Sequence, residues 1–177
     1  MNSLFSILYS IFSRRLLLTA YCLPLDTAYA HCDYPCGIYD PHAAQIGALT
    51  VIRMMDLMAE LEKEHHDHDI EFRNSMIRAV NIKEEHAELV KREIRVIWGD
   101  YFKPELAQKY PELSKLVYEI MSLASKTKQT VERATAQKLL ERINRFAEIF
   151  WETKGKQTKR VKAPYKPEAE IIVPVLE

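Results

Sequence analysis

Apolar residues recur along most of this chain with the period of an α-helix. Val51, Met54, Met55, Met58 and Leu61 fall at i, i+3, i+4, i+7 and i+10, the stripe of one helix face. Asp40-Pro41 just ahead supplies an N-cap residue and then proline, which suits the first helical position. Methionine sulfur can bind soft metals, but Met54, Met55 and Met58 at helical spacing read as core. The polar run His65-His66-Asp67-His68-Asp69 breaks the stripe. A second helix follows with Phe72, Met76, Ala79, Ala87, Val90, Ile94 and Ile97, ending near Trp98-Gly99. Pro104 and Pro111 bracket an irregular connection. A third helix shows Leu113, Leu116, Val117, Ile120 and Leu123, and after the polar stretch from Ser125 to Thr130 a fourth carries Leu139, Leu140, Ile143, Phe146, Ala147 and Phe150. Four amphipathic helices on short connections bury their stripes best as an antiparallel up-down-up-down bundle. The predicted fold is therefore all-α, a four-helix bundle with an N-terminal hook, over residues 31–155.

The two ends do not share this pattern. Residues 156–177 carry Pro164, Pro167 and Pro174 around Ile171-Ile172-Val173, and read as an extended C-terminal tail, either disordered or docked on a neighbouring subunit. Residues 1–30 read as a cleavable leader. Leu4 to Phe12 is apolar, Ser13-Arg14-Arg15 is basic, Leu16 to Leu23 is apolar again, and the segment closes on the small-x-small signature Ala28-Tyr29-Ala30. The apolar run after the arginines falls short of the roughly 20 residues that a spanning helix needs, so no stable membrane anchor is expected. Paired arginines before leucines resemble a twin-arginine export signal. The expectation is removal by a leader peptidase after Ala30 and a periplasmic or exported location, with a cytoplasmic protein carrying a processed leader as the alternative.

Composition narrows the chemistry by exclusion. Lys plus Arg and Asp plus Glu number 25 each, so no nucleic-acid partner is expected, and with only 4 glycines no Gly-rich phosphate loop can be read. Three cysteines, Cys22, Cys32 and Cys36, are too few and too odd in number for a disulfide framework. Cys22 falls in the leader, which leaves one close pair.

That pair sits in His31-Cys32-Asp33-Tyr34-Pro35-Cys36-Gly37-Ile38-Tyr39-Asp40-Pro41. Cleavage after Ala30 makes His31 the terminus and crowds an amine, an imidazole, a backbone nitrogen and a thiolate into the first two residues. Pro35 and Gly37 let the chain turn so that Cys36 can add a second thiolate. A planar set of two nitrogens and two sulfurs suits nickel(II) or copper(II), not the closed tetrahedron of structural zinc. Taken as a bare Cys-x3-Cys pair, a local disulfide or a zinc site stands level with a redox metal site.

The whole motif resembles the nickel hook of the nickel superoxide dismutases. Trp98-Gly99-Asp100-Tyr101-Phe102-Lys103-Pro104 and Phe150-Trp151-Glu152-Thr153-Lys154 resemble further segments of that family, so the similarity runs from His31 to about Gly155. The resemblance implies conversion of superoxide to oxygen and hydrogen peroxide by Ni(II)/Ni(III) cycling. It implies one nickel ion per subunit and a homohexamer of four-helix bundles. The His31 amine, the Cys32 backbone nitrogen and the thiolates of Cys32 and Cys36 would form the metal plane, with the His31 imidazole axial. Tyr39 would stand over the open face, Asp33 and Lys103 would pair near the entrance, and Tyr101 would hydrogen-bond in the same pocket. The competing expectation is a non-enzymatic metal-binding or disulfide-containing helical bundle.

Two positions depart from the family pattern. Gly47 stands where some members carry a Glu that holds the axial imidazole, and His86 stands where an Arg accompanies it. His86, together with Glu85, is a candidate substitute for that support, against the plain reading of a surface histidine on a charged helix. His65, His66 and His68 read as a solvated cluster and His42 as a surface residue at a helix start. The lone Glu62-x-x-His65 lacks the partners that a di-iron site requires.

Overall fold

The computed structural model describes residues 37–64 and 69–176. Five α-helices and a two-stranded sheet follow in order: α1 (His42–Glu64), α2 (Ile70–Val96), α3 (Pro104–Lys109), α4 (Leu113–Gln129), α5 (Arg133–Thr153), β1 (Thr158–Lys162) and β2 (Glu170–Pro174). The four long helices pack in a ring, α1 on α2, α2 on α4, α4 on α5 and α5 on α1. Only residues 65–69 separate α1 from α2, and only 130–132 separate α4 from α5, which suits antiparallel neighbours. The stripes read from the sequence line the core: Val51, Ile52 and Met55 of α1, Val90 and Ile94 of α2, Leu113, Val117 and Ile120 of α4, and Leu139, Ile143, Phe146 and Phe150 of α5 are buried. Met54 and Met58 are half-buried at its margin. Among the described residues no helix is long and apolar enough to cross a membrane.

Local chemistry sets the boundaries. The Asp69 carboxylate accepts the Phe72 amide at 2.7 Å and caps α2. The polar stretch from Ser125 is helical as far as Gln129, because that end of α4 is closed from outside. The Lys83 side chain, only 2% exposed, donates to the carbonyls of Thr127 (2.8 Å), Lys128 (2.8 Å) and Thr130 (3.1 Å). A cation there opposes the negative end of the helix dipole and satisfies carbonyls with no intrahelical partner. Its desolvation holds the Lys83 pKa below the ordinary lysine value.

Two features differ from the sequence-based expectation. The second helix does not stop at Trp98-Gly99; it widens into a π-turn over Ile97–Tyr101, where the Phe102 amide reaches the Ile97 carbonyl at 3.3 Å. The following connection holds the short helix α3, with Pro104 at its first position, where a missing amide costs nothing.

The second difference is at the C-terminus: the chain is mostly helical, and the segment expected as an extended tail carries a short two-stranded sheet. Residues 158–174 form an antiparallel hairpin in which Val161 faces Ile171 and Arg160 faces Ile172, and the hairpin packs on this chain's own α5. Gly155 directs the chain back. With φ of 67° it takes the left-handed position after α5, while the Lys156 amide bonds the Trp151 carbonyl (3.0 Å) and the Gly155 amide bonds the Glu152 carbonyl (2.9 Å). Ala163, Ile171 and Ile172 are then buried against the bundle, which the sequence pattern of short apolar pieces between prolines did not disclose.

Candidate metal centre and its aromatic support

The candidate ligands His31, Cys32 and Cys36, with Asp33, lie outside the described residues, as do His65, His66 and His68. Among the described residues no group of three or more His, Cys, Asp or Glu side chains stands close enough to hold a metal ion. The described part begins at Gly37, whose φ of 69° is left-handed, and reaches α1 through Tyr39, Asp40 and the buried Pro41. The Asp40 carboxylate accepts the His42 amide at 2.8 Å, and the Pro41 carbonyl accepts the amides of Ala44 (3.1 Å) and Gln45 (3.2 Å). Sequence-local capping thus fixes where α1 starts. The His42 side chain is exposed.

Tyr39 and Tyr101, distant in sequence, are brought together with ring centroids 5.7 Å apart. The π-turn places Tyr101 against Phe102 (5.1 Å) and Phe150 (4.9 Å), and Phe102 in turn packs edge-on to Phe146 at 5.6 Å. Such tilted and edge-to-face contacts suit the ring quadrupoles and hold each ring in one orientation. The Tyr101 hydroxyl lies 2.6 Å from the Thr153 hydroxyl, which itself donates to the Phe150 carbonyl at 2.6 Å. Thr153 has one hydroxyl proton and spends it on that carbonyl, so Tyr101 is the donor in the first bond. The Lys154 ammonium stands 4.4 Å from the Tyr101 ring centroid. Lys103 is exposed at the N-cap position of α3. Thr153 and Lys154 had no assigned role at the sequence level. The signal for them was their place in the family-like segment Phe150-Trp151-Glu152-Thr153-Lys154, just ahead of the helix-ending Gly155.

Gly47 proves to be a packing position. A Cβ built there would meet Val90 Cγ2 at 2.9 Å and the His86 carbonyl at 3.2 Å, so α1 and α2 approach closely at this point. A Glu cannot be accommodated without moving a stiff β-branched side chain and a backbone carbonyl. His86 is half-buried, with Nδ1 2.9 Å from the Ile82 carbonyl one turn back, in a groove it shares with Glu85, Glu88, Arg92 and Arg95.

The family model of the nickel-containing superoxide dismutases matches residues 26–154, a span that includes the His31 segment, the π-turn and the end of α5. This chain belongs to that family. Among nickel superoxide dismutases it is 43% identical over 131 residues to the one from Streptomyces coelicolor, covering 74% of this chain and 93% of the relative. It is 45% identical over 125 residues to the one from Streptomyces seoulensis, covering 71% and 88%. A solved native nickel superoxide dismutase superposes with a TM-score of 0.62 at 43% identity, covering 71% of this chain and 99% of the other. As a nickel-containing superoxide dismutase the protein is an oxidoreductase, and the cofactor of its family is nickel.

Proposed function

We propose that this chain is a precursor that becomes an active nickel superoxide dismutase when cleavage after Ala30 exposes the His31 amine. The observation that carries the reading is a donor set that becomes complete only at that cut, inside the region that matches the family. The donors fit the metal. The His31 amine and imidazole, the Cys32 backbone nitrogen and the thiolates of Cys32 and Cys36 would hold nickel, and their strong donation would favour its oxidised state. When bound, nickel supplies one-electron chemistry: one superoxide leaves as oxygen after giving up an electron, and a second takes that electron and two protons and leaves as hydrogen peroxide.

The chain's own residues determine access and charge. Tyr39 follows Cys36 closely in sequence and is held against Tyr101, which supports a role for its ring as a filter for small anions approaching the metal. Tyr101 acts by position, because its proton is committed to Thr153. Peroxide oxidises thiolates, so a narrow approach also protects Cys32 and Cys36. With basic and acidic residues equal in number, attraction of superoxide falls to local cations, of which the exposed Lys103 and Lys154 above the Tyr101 ring are the candidates. Assembly as a homohexamer and export before or after nickel loading complete the proposal.

Mass analysis of the protein from its native host tests this. The expected result is a chain beginning at His31 with one nickel per subunit and superoxide-consuming activity that depends on nickel. A fully active chain that retains residues 1–30 would overturn the reading, because an internal His31 has no α-amine. A processed chain that binds zinc or forms a Cys32–Cys36 disulfide without activity would favour the non-enzymatic alternative.

A further inference from the structure

The family match ends at Lys154, and the hairpin of residues 158–174 lies entirely beyond it. What the hairpin touches gives it a role. Gln45 and Asn144 are each 1% exposed, unusual for uncharged amides in a helical bundle. Gln45 Nε2 donates to Asn144 Oδ1 at 3.0 Å and to the Ile172 carbonyl at 3.1 Å, which uses both of its protons. Asn144 Nδ2 donates to the Glu170 carbonyl at 2.9 Å. Glu170 and Ile172 are two residues apart in β2, so their carbonyls share one edge of the strand, and side-chain amides from α1 and α5 take the place of a third strand there. The same Gln45 closes the first turn of α1 through its backbone amide on the Pro41 carbonyl.

We propose that the hairpin is a strap, bound through Gln45 and Asn144, that fixes the first turn of α1 and so the root of the metal-binding segment, making nickel retention depend on residues outside the family pattern. This rests on the reading of residues 31–36 as that segment. Besides the burial of Pro41 and Ala44, residues 37–45 are held by Tyr39 on Tyr101 and by Gln45 on β2. Loss of the second anchor leaves the first turn of α1 with the packing of Pro41 and Ala44 but without its polar tie to the hairpin, and strands the buried amide of Asn144 with one partner fewer. The other strand of the hairpin is tied separately. Arg160 bonds both oxygens of Glu141 (3.0 and 2.8 Å) and one of Glu148 (3.2 Å) on α5.

The test uses processed, nickel-loaded protein in four forms: the full chain, a chain ending at Gly155, Gln45→Ala and Arg160→Ala. Nickel loss to a chelator and hydrogen exchange at residues 42–48 are followed, with the nickel absorption bands as a spectroscopic check. The expected result is about tenfold faster nickel loss for truncation and for Gln45→Ala, the size usual for outer supports of a metal site, with exchange rising at 42–48. Arg160→Ala, which loosens the hairpin through its other strand and leaves Gln45 in place, should accelerate nickel loss and exchange at 42–48 by less than Gln45→Ala does. Gln45→Ala keeps the test readable if the truncated chain does not fold. Unchanged nickel loss in Gln45→Ala, or unchanged exchange at 42–48 in that variant, would overturn the strap. A full processed chain that takes up no nickel would instead sink the functional reading, and exchange at 42–48 would still decide whether the hairpin holds α1.

Discussion

Single atoms decide what the aromatic cluster can do. Tyr101 is a plausible proton source by residue type, but its hydroxyl donates to Thr153, whose own proton goes to the Phe150 carbonyl. The pair therefore serves to hold Tyr101, and with it Tyr39, at a fixed place. Replacing Thr153 by Val keeps the shape of the side chain and removes the acceptor. Thr153→Val should cost about 1 kcal/mol in thermal unfolding, the usual worth of one such bond, and slow superoxide turnover through a loosened Tyr39. Stability and turnover both unchanged would mean that the bond is not maintained in solution. Gly47 belongs at this scale too. Its residue type follows from the 2.9 Å approach to Val90 that a Cβ would make, a contact no sequence pattern reveals.

At the level of elements, the helices follow their apolar stripes, and their ends follow capping and tertiary contact in unequal measure. The starts at Asp40-Pro41 and Asp69 were legible because a short polar side chain and the amides it caps are neighbours in sequence. The end of α4 was not, because Lys83 reaches it from α2. The hairpin adds a pH-dependent element. The Arg160 guanidinium beside Glu141 holds that carboxyl below its ordinary value of 4.5. A carboxylate with a depressed folded pKa contributes stability that is complete above the unfolded value and is lost as pH falls through the folded one. Acidification below 4.5 should thus weaken the tie of β1 to α5, seen as a modest loss of amide protection at 158–162 ahead of α5, while the buried contacts of β2 persist. Glu141→Gln should weaken hairpin protection at neutral pH and flatten its dependence on acid. Loss of protection at the same pH in hairpin and bundle would show the two to be one cooperative unit.

For the whole molecule, fold and activity are separable. Among the described residues the apolar core runs from Ala44 to Ile172 and is complete around the four long helices, so the bundle is expected not to require a free His31. A chain that keeps residues 1–30 should show the helical circular dichroism and thermal midpoint of the processed protein, yet no superoxide-dependent turnover. Failure of the uncleaved chain to fold would tie processing to stability instead. By itself the sequence determined the bundle, because helical periodicity is a local property, and it determined the candidate metal chemistry, because the donors are contiguous and gain their last member at a terminus. Only the tertiary structure decided that Tyr101 is tied to Thr153, that Gly47 is a helix-crossing residue, and that the C-terminal segment is a hairpin secured by Gln45 and Asn144. Each of these joins residues distant in sequence, and such contacts are settled by how the packed helices meet, which no local pattern encodes.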